Sequence, residues 1–282
     1  PWVLRDSSGP RISWPAWHIR IHRNRMIYIK RLNNMNNILE LPQLIAKFSY
    51  ELPKNQTVLI SGGNPPDVEW LKSICENKNI FCADHGIDIC KEADIKPLQL
   101  IGDGDSATSE AWQWAVDNDV TITKVPTKKD VTDTQLALQI IDDKYPASTV
   151  ILTGAWGGRF DHAFSTIFSF NGMLNKNFCG CIADEKEILF FLHNEEHLTL
   201  NLKQTPKAIS LLPLGGTCSG VSINGVYWPL DQVMLNNNLP YAVSNEVNNK
   251  ENTIWISQKQ GILGVRLYIP YEMSGQDQFL YR

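Results

Sequence analysis

Residues 97–126 read PLQLIGDGDSATSEAWQWAVDNDVTITKVP. An apolar run (97–103) ends in glycine and carboxylates, and residues 106–118 follow as a helix that Ser106 can cap. VTITKVP (120–126) is then β-branched and apolar again. A strand, a polar turn, a helix and a second strand make a βαβ unit, and such units build a parallel sheet.

The same grammar extends outward. TVLISGG (57–63), NIFCAD (79–84), STVILTG (148–154) and FCGCIAD (178–184) read as further strands. Helices are predicted over 65–78, 86–92, 132–144 and 161–174, with Pro65 and Pro66 suiting a first turn and Leu136, Ala137, Ile140 and Ile141 forming one stripe. Each polar cluster falls where a strand ends: Gly62-Gly63, Asp84-His85-Gly86, Gly102 to Ser106 and Gly154 to Gly158. In open α/β sheets the carboxyl ends of strands are where ligands bind.

Near residue 185 the pattern changes. Residues 187–192, 197–202, 207–214, 217–230, 252–258 and 261–269 read as strands punctuated by Gly, Pro and Asn, with no helix of convincing length. The fold class expected is α/β plus all-β. A Rossmann-like parallel α/β domain (35–184) is followed by an antiparallel, jelly-roll-like β-sandwich domain (185–282). Residues 1–34 carry Arg5, Arg11, Arg20, Arg23, Arg25, Lys30 and Arg31 against Asp6, with Met26 and Met35 as candidate starts. They are expected to lie outside the functional fold.

The composition is that of a globular chain: 43% hydrophobic and 20% charged residues in 282. A net charge of −4 excludes nucleic-acid binding through bulk basic charge. No apolar run approaches the ~20 residues of a membrane helix. Cys75, Cys82, Cys90, Cys179, Cys181 and Cys218 lack C-x-x-C spacing, which suits buried free thiols in a cytoplasmic protein.

Three constellations carry chemistry. Asp103 and Asp105 follow a strand and offer oxygen ligands of the kind Mg²⁺ prefers beside phosphates. The plain alternative is a polar turn in which Asp105 or Ser106 caps the next helix. Asp130 and Asp133 lie three apart at a helix start, next to Lys129; capping alone also favours acids and Thr there. Gly154 to His162 joins a glycine turn to Arg159 and Asp161, a place where backbone N–H groups and a guanidinium can meet phosphate. The P-loop, the G-x-G-x-x-G fingerprint and the G-x-S-x-G elbow are all missing from the sequence.

Together the ordered motifs SGGNPPD, CADHG, GDGDS, KKDVTDTQLAL, TGAWGGRFDH, SLLPL, SGVSINGVYWPL and SNE resemble those of bacterial-type thiamine pyrophosphokinases over about residues 57 to 269. The resemblance implies transfer of a pyrophosphoryl group from ATP to the thiamine hydroxyl, with AMP leaving. It implies Mg²⁺ on Asp103, Asp105 and Asp133, and Asp84 near the same cleft. Ser106, Lys129, Thr132, Arg159 and Asp161 would serve ATP. Asp103, Asp105, Asp130, Asp133 and Arg159 would carry the catalysis. Trp228, Ser244 and Asn245 would hold thiamine. It further implies a homodimer, with thiamine between one subunit's α/β domain and the other's β domain, and no nucleic-acid or membrane partner. The chain departs from the family pattern at Gly104, where a bulky apolar residue is common. The competing readings are a Mn²⁺- or Mg²⁺-dependent nucleotide-sugar transferase built on D-x-D, and a ligand-binding protein without turnover.

Overall fold

The structure, a computed structural model, describes residues 36–126, 130–239, 241–248 and 252–270. The basic segment 1–34 and Lys129 fall outside the described residues. Six parallel strands form one side of a nine-stranded sheet, out to its edge: β3 (Asn55–Ile60), β4 (Asn79–Ala83), β5 (Gln99–Gly102), β6 (Thr121–Lys124), β7 (Ser148–Thr153) and β8 (Phe178–Ala183). Their spatial order is 8-7-3-4-5-6. The chain thus winds outward from β3 to β6, then returns to the other side of β3, leaving a topological switch point between β3 and β7.

Five helices connect these strands: α1 (Val68–Cys75), α2 (Gly86–Glu92), α3 (Ser109–Asp117), α4 (Asp133–Lys144) and α5 (Phe160–Met173). Alternation along the strands sorts their side chains to two faces. Val58, Ile60, Cys82 and Leu100 pack with Leu71, Ile87, Cys90 and Ala111 of α1, α2 and α3. Leu59, Phe81, Val150 and Leu152 pack with Ala137, Leu138, Ile141 and Phe170 of α4 and α5. Helices on both faces explain why β7 and β8 are buried along their whole length.

The second half departs from the expected layout. β9 (Glu187–Leu192), β15 (Leu263–Tyr268) and β11 (Ala208–Pro213) do not belong to a separate sheet; they add antiparallel to β8 and complete the nine strands. A second, wholly antiparallel sheet takes β10 (His197–Leu202), β12 (Thr217–Asn224), β13 (Leu230–Asn236) and β14 (Thr253–Ser257). It also takes a hairpin from the other end of the described chain, β1 (Ile38–Leu41) and β2 (Leu44–Phe48), through β2 against β10. A line drawn between residues 184 and 185 therefore separates neither sheet. The hairpin is held by Leu39, Leu41, Leu44, Ala46 and Phe48, which alternate inward and are buried. Phe48 meets Phe190 of β9 edge-on at 5.9 Å, so the six-stranded sheet shares its core with the nine-stranded one.

The β8–β9 turn is fixed by Asp184, whose carboxylate accepts from the N–H groups of Lys186 (2.8 Å) and Glu187 (2.6 Å). Gln43 of the hairpin donates to its carbonyl at 2.7 Å. Burial, opposed by those two N–H groups, raises the Asp184 carboxyl from 3.8 to about 6. A carboxyl whose folded value lies above its unfolded one favours the fold below the unfolded value, and loses that contribution as pH rises through the folded one. Thermal denaturation of Asp184→Asn should therefore lack part of the wild-type loss of stability between about pH 4 and pH 6. Asn keeps the acceptor oxygen, so an unchanged slope would mean that Asp184 is not the titrating group.

Candidate active site

A cavity of about 770 Å³ opens at the carboxyl ends of the parallel strands, at the switch point. Its floor is the Ser61-Gly62-Gly63 turn after β3 and the Gly154 turn after β7. These are laced together by Gly63 N–H donating to the Gly154 carbonyl and Asn64 N–H to the Trp156 carbonyl, both at 2.7 Å. Ser61 and Thr134 share a hydroxyl hydrogen bond of 2.7 Å on the wall, a pair that no motif marks.

Acids gather on one side. Asp84 directly follows β4, and its N–H donates to the Ile101 carbonyl of β5 at 2.8 Å. Asp103 and Asp105 follow β5, with the Asp105 N–H donating to Asp103 Oδ1 at 3.0 Å. Gly104 between them has φ +81, and a Cβ there would sit 3.1 Å from the Trp112 ring. The left-handed turn that points both carboxylates one way is thus open to glycine and crowded for the bulky residue common in the resembling family. One carboxylate oxygen from each of Asp84, Asp103 and Asp105 lies within 4.8 Å of the others. The neighbouring Asp103, first by hydrogen bond and then by charge, raises the Asp105 carboxyl; Asp84 and Asp133 add to it. Asp84 Oδ1 is buried with no hydrogen-bond partner among the described residues. A buried carboxylate oxygen left bare is costly unless a cation meets it, so this donor set fits a hard divalent ion such as Mg²⁺.

The remaining expected residues sort themselves. Asp133 opens α4 and lines the cavity, but the tight trio takes Asp84 instead. Thr132 lines it too, although its hydroxyl accepts from Gln135 N–H (3.2 Å) in a capping box. Ser106 lines it without capping α3; that cap is Thr108, because the helix starts three residues later than expected. Arg159 precedes α5 and lines the cavity, while its guanidinium forks onto Asp161 at 2.6 and 3.1 Å. That pairing holds the Asp161 carboxyl below its ordinary value. Neither Asp161 nor the exposed Asp130 lines the cavity.

Trp228 and Asn245 lie elsewhere, on an apolar cavity of about 330 Å³ with Leu211, Ile223 and Tyr241. The Asn245 amide is spent on the Trp228 backbone, accepting from its N–H (3.1 Å) and donating to its carbonyl (2.7 Å). It fixes the β12–β13 connection from which the indole projects, 54% exposed and edge-on to Tyr227. Ser244 lines a neighbouring cavity with Lys207 and Arg266 instead.

Glycine turns, clustered acids and a guanidinium at strand ends define a transferase of the phosphate-handling class. Two family models match the chain: "Thiamin pyrophosphokinase, catalytic domain" over residues 71–181 and "Thiamin pyrophosphokinase, vitamin B1 binding domain" over 196–263. Between them they span more than half of the chain, and the chain belongs to the thiamin pyrophosphokinase family. Its activity is that of a thiamine diphosphokinase, which moves the pyrophosphoryl group of ATP to the hydroxyl of thiamine; the nucleotide-sugar reading is not favoured. Solved structures share the fold. Thiamine pyrophosphokinase from Bacillus subtilis is 20% identical with a TM-score of 0.68, over 77% of this chain and 100% of that one. The Candida albicans enzyme is 17% identical with a TM-score of 0.67, over 77% and 89%. No curated protein matches the chain.

Proposed function

We propose that the cavity at the switch point binds the triphosphate of ATP, with Mg²⁺ held by Asp84, Asp103 and Asp105 and with Asp133 facing the same space. The observation that carries this reading is the shared cavity: acids from the ends of β4 and β5 and the start of α4 open onto the same space as Arg159 before α5. When bound, Mg²⁺ supplies charge neutralisation to the phosphate oxygens. The chain supplies the rest. The glycine turns after β3 and β7 let the polyphosphate come close to the backbone, and the starts of α4 and α5 point their positive dipole ends at it. Arg159, released from Asp161, offsets the charge that grows on the oxygen leaving with AMP. Alignment accounts for most of the rate in transfers of this kind.

Thiamine is assigned to the Trp228 cavity, and a homodimer brings that cavity of one protomer to the ATP cavity of its partner. Two features support the dimer. Phe160, Phe164 and Phe168 form an exposed stripe along α5, the helix whose first turns line the ATP cavity, with rings 5.7 and 4.8 Å apart. The Trp228 cavity has its own exposed rim of Tyr227 and Tyr241. A sedimentation measurement showing only monomer would remove this part of the reading. Six buried, unpaired thiols support a reducing, cytoplasmic setting, and no helix among the described residues is long and apolar enough to cross a membrane.

The reaction is tested by nucleotide product: AMP release from ATP should require both thiamine and Mg²⁺. ADP as the sole product would overturn it. Trp228→Ala should raise the thiamine KM about tenfold through lost ring contact and leave the ATP KM near the wild-type value. A rise in the ATP KM instead would place Trp228 at the nucleotide.

A further inference from the structure

We propose that His85 contacts substrate, accepting a hydrogen bond from a substrate hydroxyl through Nε2, and that Asp88 is the positioning residue that leaves Nε2 free to do so. The inference rests on the reading of the cavity as the site of pyrophosphoryl transfer. His85 directly follows Asp84 and lines the cavity, its side chain 45% exposed. Its Nδ1 lies 3.0 Å from Asp88 Oδ2, in the first turn of α2. The same carboxylate accepts from the Thr108 N–H at 3.2 and 3.3 Å and from the Thr108 hydroxyl. Thr108 caps α3 and closes the loop that begins at Asp103. Asp88 therefore ties the His85 ring and the acidic loop into one frame.

The chemistry follows from donor counting. An ionised carboxylate only accepts, so the Nδ1 facing Asp88 carries the hydrogen. In the neutral ring, Nε2 is then a bare acceptor. No described residue takes it. Phosphate oxygens are acceptors as well and make poor partners for it. A hydroxyl is the complement, and the reaction brings two sources: the alcohol that receives the pyrophosphoryl group, and the ribose of ATP.

Two substitutions separate the ring nitrogens. His85→Asn keeps a donor near Nδ1 for Asp88 and removes Nε2; His85→Gln places an acceptor near Nε2. His85→Asn should lower kcat/KM about tenfold, as expected for a lost hydrogen bond, and His85→Gln should recover most of that loss. In Asp88→Asn the amide can donate to Nδ1, shift the ring hydrogen to Nε2 and still accept from Thr108. It should fall like His85→Asn, and it carries the comparison if that variant does not fold. If the hydroxyl is the ribose's, 2′-deoxy-ATP or 3′-deoxy-ATP should lose the same factor with the wild type and none with His85→Asn. If it is thiamine's, the loss should sit in kcat and the thiamine KM, with wild type and His85→Asn responding alike to the deoxynucleotides. Equal activity of the Asn and Gln variants would overturn the proposal. Wild-type AMP release reports on the reaction itself and the ratio between variants on His85, so the two readings fail separately.

Discussion

Asp84→Asn is expected to reduce turnover about a thousandfold or more, with the fold intact by circular dichroism, because several kcal/mol of charge stabilisation disappear with one ligand. Asn is the same size and keeps one acceptor oxygen. It removes the negative charge at the one position of the trio where a carboxylate oxygen is buried without a partner. Asp103→Asn and Asp105→Asn should act in the same direction. They also relieve the repulsion that raises the Asp105 carboxyl. All three variants should therefore melt no lower than the wild type without added Mg²⁺, while the rise in melting temperature on adding it shrinks. A rate loss under tenfold for Asp84→Asn would remove that residue from the ion site.

Among the glycines of the described residues, Gly180→Ala is expected to be the most damaging for stability. Gly180 lies in the middle of β8, between β7 and β9. Its φ of +144 belongs to a region that side-chain-bearing residues rarely enter, and a Cβ there would come within 1.8 Å of the Val150 carbonyl oxygen of β7. Strain and overpacking add to a cost of about 3–5 kcal/mol. For a chain of this size the melting temperature should fall on the order of 10 °C. A change of a degree or two would mean that β8 shifts freely against β7, contrary to the ladder seen between them.

The parallel half was legible because its signals are local. Each strand is a short apolar run, each helix follows a polar turn, and the acids and glycines sit where those runs stop. The hairpin at 38–48 is not among the expected strands, although Leu39, Leu41, Leu44, Ala46 and Phe48 carry its alternation. Two short strands say nothing of a partner, β10, about 150 residues away in sequence. The split of the later strands between two sheets was hidden for the same reason. β9 and β15 are nearly continuous apolar runs, which mark burial on both faces but not the neighbour that buries them. At the site, residue types were readable and partners were not. Asp103 and Asp105 announce themselves by spacing, whereas the place of Asp84 beside them depends on β4 and β5 pairing in register. The resemblance implies thiamine contact at Asn245, and the structure adds that its amide is engaged with the Trp228 backbone.

One ladder of backbone hydrogen bonds runs without a break from β6 at one edge to β11 at the other, joining the strands that end at the acidic cavity to one that borders the Trp228 cavity. No hinge interrupts it at β8–β9, so the two halves cannot swing apart like jaws without unzipping strands. On the proposed assignment, admitting ATP and releasing AMP fall to the loops above the strand ends, as flaps on a stiff plate.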